Sequence, residues 1–174
     1  VSSVRAQTGP SAFHELTEQH PPKPTDAYGR SKLAGEAAVA EVLRGSDTAF
    51  VILRPVLMYG PRPKGNMATL MKLARSRWPL PIGSLCARRS ILGIGNFCSA
   101  VAHVLRSPAC DGGTFLLADS PAVTAADIVA LCREALGRPA GVVSLPVPGA
   151  AFLLEQAGRG DLAGRLFKDL VVST

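Results

Sequence analysis

Residues 49–53 (A-F-V-I-L) form a continuous apolar run, bounded by G-S-D at 45–47 and by Arg54-Pro55. A run this short between turn residues fits a strand buried on both faces, as in a parallel sheet covered by helices. Residues 114–118 (T-F-L-L-A), following the turn Asp111-Gly112-Gly113, predict another strand. Before the first run the pattern is helical from about residue 26 to about residue 44, opened by Thr25 or Asp26 as a cap. Residues 1–3 (V-S-S) read as the end of a strand. Strand, helix and strand then follow in the order of a βαβ unit.

The remaining pattern is more broken. Residues 5–24 are polar and carry Pro21, Pro22 and Pro24, which predicts an irregular excursion. Residues 56–63 (V-L-M-Y-G-P-R-P) predict a loop leaving the carboxyl end of the 49–53 strand, the edge at which open α/β sheets hold ligands. Met67, Leu70, Met71 and Ala74 share one stripe of a helix over 66–77, followed by a stiff proline-bounded segment at 78–84. A short apolar run within 87–94 comes after Arg88-Arg89, and Asn96 is read as the cap of a helix reaching about residue 106. Thr124 and Asp127 resemble a capping box opening a helix that Gly137 and Pro139 stop. Residues 142–147 suggest a short strand and 149–170 weaker helical pieces. The pattern as a whole is α/β, a partial parallel sheet with a smaller lobe.

Candidate chemistry sits at the start of the first helix, in T-D-A-Y-G-R-S-K-L-A-G-E (25–36). Tyr28 and Lys32 are one turn apart on one helix face. An ammonium beside a phenol favours the phenolate and draws the tyrosine pKa below its ordinary value of about 10. A tyrosine so tuned can move a proton near neutral pH. Ser3, at a strand end, could hydrogen-bond the same substrate oxygen. Chance Tyr/Lys pairs on exposed helix turns are common, so the pair needs its surroundings to give it meaning. The alanine- and glycine-rich body of this helix fits ordinary packing and a subunit interface equally well. His103 reads as a satisfied, partly buried histidine rather than a ligand.

The formal charge is +6 without a run of five like charges, which argues against a nucleic-acid arm. A basic cleft for a small anionic substrate, drawing on Arg62, Lys64, Arg88 and Arg89, fits better. Cys86, Cys98, Cys110 and Cys132 form no C-x-x-C pair, and His14, His20 and His103 have no metal-ligand spacing with them. No metal is therefore expected, and idle thiols in a reducing cytoplasm are. No signal peptide or membrane span is visible. The chain opens on Val1 without a methionine and is read as a piece of something larger.

Several motifs agree in order. They are S-S, Y-G-R-S-K-L-A-G-E, V-I-L-R-P-V-L-M-Y-G-P, G-N-M before a helix, W-P-L-P-I-G-S, R-R-S-I-L, N-F, and F-L-L-A-D-S before T-A-A-D-I. Together they resemble the extended short-chain dehydrogenase/reductases, in particular the NAD-dependent epimerase/dehydratase group acting on nucleotide sugars. The resemblance implies a Rossmann-like cofactor domain. Residues 1–61 would be its remainder, 62–92 a substrate-lobe segment, 93–120 the return to the sheet and 121–174 the substrate-binding lobe. It also implies Ser3, Tyr28 and Lys32 as catalytic residues, with Tyr28 the general acid/base and Lys32 lowering its pKa and holding the nicotinamide ribose. Pro55 and Val56 would contact the cofactor, NAD or NADP. Asn66 and Arg89 would contact the nucleotide sugar, a UDP-sugar in the leading reading, an arginine fork being suited to a diphosphate. A homodimer would form through the helix over 26–44.

Three departures qualify this. One residue more than in many relatives separates Ser3 from Gly9. I-G-N stands at 94–96 where relatives carry a carboxylate, which Gly95 cannot supply. The glycine-rich G-x-x-G-x-x-G turn is absent from the sequence, and L-G-I-G-N-F lacks its third glycine. The 174 residues alone are therefore expected to be inactive. The expected activity is epimerase or 4-ketoreductase, with dehydratase less favoured. A non-catalytic sensor and a reductase of a small non-phosphorylated ketone are the alternatives.

Overall fold

The computed structural model describes residues 1–63, 65–80, 82–144 and 169–173, the side chain of Asn66 excepted. Its elements run as a 3-10 turn (Val4–Ala6), α1 (Ala27–Val42), β1 (Ile52–Pro55), β2 (Leu57–Tyr59), α2 (Gly65–Arg75), β3 (Arg88–Arg89), β4 (Ile91–Gly93), α3 (Ile94–Val104), a second 3-10 turn (Pro108–Cys110), β5 (Thr114–Leu117), β6 (Val123–Thr124) and α4 (Ala125–Ala135). β1 pairs with β5 and β2 with β4, both parallel, while β3 and β6 pair antiparallel. Parallel pairs joined through helices make the expected α/β architecture.

The strand expected at 49–53 lies at 52–55 instead. Ile52 N–H donates to Gly113 C=O (2.9 Å) and Val56 N–H to Leu117 C=O (3.1 Å). Even-numbered donors therefore face β5, and Pro55, which has none, turns its nitrogen to the other side and costs this ladder no bond. The charge of Arg54 suggested a strand end, but its guanidinium is buried against Glu36 of α1. Residues 1–3 carry no assigned strand, yet Ser2 N–H donates to Leu53 C=O (2.7 Å), so they run beside β1. The 56–63 stretch is not all loop, since Leu57–Tyr59 pairs with Ile91–Gly93. The side chains of Leu57, Met58 and Tyr59 are all exposed, so no buried alternation announces this strand.

α3 starts at Ile94 with Gly93 as its cap, not Asn96, which lies inside the first turn. The capping box of α4 forms as read: Thr124 Oγ1 accepts from Asp127 N–H (3.1 Å) and Asp127 Oδ2 from Thr124 N–H (2.8 Å). Gly137, at φ +67°, ends that helix in the left-handed region. Val142 bridges Leu80. The rest of the 142–147 expectation, and the helical pieces expected over 149–170 up to residue 168, lie outside the described residues. Leu170 and Val172 bridge Arg89 and Leu16.

The core has two parts. Val4, Leu16, Val56, Leu92, Leu116, Leu170 and Val172 pack beneath the parallel strands. Ala74, Leu80 and Val129 form a second cluster that joins α2 to α4. Glu18 Oε1 accepts from Leu116 N–H (2.9 Å), so the 5–24 excursion contributes a side-chain partner to β5. No helix among the described residues is long and apolar enough to cross a membrane.

Candidate active site

α1 is fixed where Tyr28 stands. Asp26 caps it, its Oδ1 accepting from Gly29 N–H at 2.7 Å, while Oδ2 pairs with Arg5. That backbone bond and the Arg5 guanidinium hold the Asp26 carboxyl below the usual carboxylate range. Gly29 lets the helix lie directly on the first 3-10 turn: a Cβ there would stand 2.2 Å from the Arg5 carbonyl oxygen. Ser3 caps that turn, its Oγ accepting from Arg5 N–H at 3.2 Å. The turns carrying Ser3 and Tyr28 thus meet through Arg5 and Gly29.

Tyr28 is 54% exposed, and Lys32 Nζ lies 5.8 Å from its ring centroid. The i, i+4 geometry read from the sequence is present, with the ammonium over the ring. Pro55 and Val56 stand at the carboxyl end of β1, where this sheet type receives ligands. Both are buried, and Val56 belongs to the core. What they can offer a cofactor is main chain rather than side chain.

The expected substrate residues are less assembled. Arg89 is half-buried in β3, and its Nη1 donates to Pro10 C=O at 3.0 Å, tying the excursion to the strand. Asn66 is the second residue of α2, and its side chain lies outside the described residues, as does Lys64. His103, expected to be partly buried, is exposed on α3. It borders an apolar depression of about 580 Å³ together with Leu53, Val104, Phe115 and Leu117. Leu53 and Arg54 point to opposite faces of β1 and Arg54 grips α1, so this depression is on the face away from Tyr28. The four cysteines are unpaired, and no group of three or more potential metal ligands occurs among the described residues.

Two polar clusters went unread in the sequence. Arg54 Nε and Nη2 donate to the two oxygens of Glu36 at 2.9 and 2.6 Å, and Arg54 Nη1 donates to Gln7 Oε1 at 3.1 Å. Burial works to raise the Glu36 carboxyl, but the Arg54 fork outweighs it and holds the group below its ordinary 4.5. A depressed carboxylate stabilises the fold above its unfolded pKa and loses that contribution as pH falls through the folded one. Resistance to urea is therefore expected to fall on acidification below about 4.5, and less steeply in Glu36→Gln. Unfolding midpoints over a pH series check this; equal slopes in both proteins would contradict it.

The other cluster gathers at the carboxyl ends of β2, β4 and β5. Asp119 accepts from Gly93 N–H (2.8 Å), Asn96 Nδ2 (2.8 Å) and Tyr59 Oη (3.2 Å). The carboxylate that Gly95 cannot supply at this helix start comes from the end of β5. Burial favours a raised Asp119 carboxyl, but these donors draw it down, while burial and the neighbouring carboxylate push the Tyr59 phenol up. D-S after an apolar strand was the only sequence signal for it.

The sequence profile of the NAD dependent epimerase/dehydratase family matches residues 2–118. UDP-glucose 4-epimerase of Vibrio cholerae is 31% identical over 150 residues, which are 86% of this chain and 46% of that protein. An N-acetyl-alpha-D-glucosaminyl-diphospho-ditrans,octacis-undecaprenol 4-epimerase of Escherichia coli O157:H7 is 26% identical over 137 residues, 78% of this chain and 41% of that one. The chain thus spans about half the length of the curated relatives it matches. Among solved structures, UDP-glucuronic acid 4-epimerase from Bacillus cereus in complex with NAD aligns over 88% of this chain and 51% of its own, at TM-score 0.68 and 21% identity. UDP-glucose 4-epimerase with UDP-glucose from Thermotoga maritima aligns over 98% and 52%, at TM-score 0.68 and 18% identity. These structures share the fold.

Proposed function

The chain belongs to the NAD-dependent epimerase/dehydratase family, and we propose that the whole protein acts at a sugar carbon of a UDP-sugar, as an epimerase or 4-ketoreductase using NAD or NADP. The observation that carries this is the start of α1. Tyr28 is exposed there, Lys32 lies against its ring, and Gly29 presses the helix onto the turn of Ser3. Tyr28 gives and takes the proton of the sugar hydroxyl, Ser3 orients that oxygen, and Lys32 holds the nicotinamide ribose. The residues present fit the nicotinamide end of the cofactor: an exposed phenol and ammonium, with the main chain of Pro55 and Val56 at a strand's carboxyl end. The cofactor supplies the hydride acceptor and donor, and the protein supplies position and proton transfer.

Arg89, with Asn66, is assigned to the diphosphate. Arg89 Nη1 already donates to Pro10 C=O, which fixes where the planar guanidinium lies. Arg89→Ala is expected to weaken UDP binding to the whole protein by about 1.5–3 kcal/mol, as for a hydrogen bond to a charged group. Calorimetry with UDP tests the substrate class. Unchanged affinity would move the diphosphate site and favour a non-phosphorylated ketone. The proposed homodimer uses α1, which leaves Val39 and Val42 exposed at 46% and 79% beside small residues.

A further inference from the structure

α1 is held at two places. One is the glycine contact beside Tyr28. The other is Glu36, the third residue of the stripe Tyr28, Lys32, Glu36, spaced at i, i+4 and i+8 along one face. The Glu36 and Arg54 side chains are 7% and 6% exposed, and a bidentate fork fixes both the distance and the orientation of the carboxylate. Arg54 is in turn held by Gln7. That side chain bonds inward: Oε1 accepts from Arg54, while Nε2 donates to Thr17 C=O (2.6 Å) and His20 C=O (3.0 Å). Gln7 itself is 2% exposed and caps the 3-10 turn that begins at Ser3.

We infer that Gln7, Arg54 and Glu36 are positioning residues for the reaction, a buried series of hydrogen bonds that sets the rotation of α1 against β1 and the Ser3 turn. The inference rests on the reading of Tyr28 as the proton-transfer group. Two anchors two turns apart are what a helix needs to be fixed both along and about its axis; the contacts at its start, Gly29 on the Arg5 carbonyl and Asp26 with Arg5, leave the later turns free to swing. The network connects the three pieces whose mutual placement the chemistry requires. Gln7 follows the Ser3 turn, Arg54 precedes Pro55, and Glu36 shares the face of Tyr28 and Lys32. A local stabilising pair would need only Arg54 and Glu36. Gln7 extends the series to the turn that carries Ser3.

Gln7→Met keeps the side-chain volume and leaves the Arg54–Glu36 pair intact. In the whole protein with a UDP-sugar, Gln7→Met and Glu36→Gln are each expected to lower kcat about ten- to a hundredfold, the scale of a misplacement near one ångström, with KM nearly unchanged. In a Tyr28→Phe background neither should lower kcat further, because the effect passes through Tyr28. Amide exchange in Ala27–Val42 should rise relative to α4 in both variants, whatever the reaction. An impaired Tyr28→Phe beside a Gln7→Met with wild-type kcat would overturn the inference and leave the site reading standing. A fully active Tyr28→Phe would overturn the site reading, and the exchange result would then report the tether alone. Equal losses with and without Tyr28, or failure of both variants to fold, would make the network a stability device and overturn the inference.

Discussion

Tyr28→Phe is expected to lower turnover of the whole protein by about 100-fold or more, the range for losing a general acid or base. The substitution removes one oxygen from a half-exposed ring and leaves the ring over which Lys32 lies. The Asp26 cap and the Gly29 contact that fix the helix start do not involve the hydroxyl. Substrate affinity should therefore change little, and the loss should appear in kcat. Steady-state kinetics on purified wild type and variant check this. A wild-type rate in the Phe variant would contradict the assignment.

Arg133→Met is expected to give the largest loss of stability, at least about 3 kcal/mol, because it takes a buried cation's hydrogen bonds away from five carbonyls at once. Arg133 is 3% exposed and makes no ion pair among the described residues. Its fork donates instead to the carbonyls of Ala74 (3.3 Å), Ser76 (3.1 Å), Trp78 (2.8 Å), Ala140 (3.1 Å) and Gly141 (3.0 Å). It thereby fastens the end of α2, the following turn and the segment after α4 to one another. A cation also suits the negative end of α2. Gly141 is needed for this, since a Cβ there would stand 2.0 Å from Arg133 Nη1. Urea unfolding followed through Trp78, the sole tryptophan, measures the loss. A change under about 1 kcal/mol, the ordinary range for a surface substitution, would contradict this account of Arg133.

Local signals were legible where a residue's own neighbours decide its structure. The Thr124–Asp127 capping box, the glycine stop at Gly137 and the Tyr28–Lys32 face all depend on residues within a turn of each other, and all are present. What the pattern hid depends on distant partners. Arg54 looked like a strand end because a charge breaks an apolar run, yet Glu36 neutralises it inside the fold. Leu57–Tyr59 looked like a loop because its side chains are exposed and its pairing strand comes far later in the chain. Asn96 looked like a cap because residue type favours it there, but the carboxylate of Asp119 claims it and the helix begins two residues earlier. Arg89 was legible as a basic residue near a strand, and its bond to Pro10 was not. For the same reason the joint occurrence of weak motifs carried more than any one of them. Each motif is local, and their order records the fold.

The most direct test of the central claim is proton NMR of the sugar after incubating the whole protein with a UDP-hexose and NAD or its reduced form. Wild type is expected to give the C4 epimer or, from a 4-keto sugar, the C4 alcohol, and Tyr28→Phe to give neither on the same time scale. Absence of any C4 chemistry on UDP-sugars by a folded wild-type protein, or full C4 chemistry in the Phe variant, would contradict it.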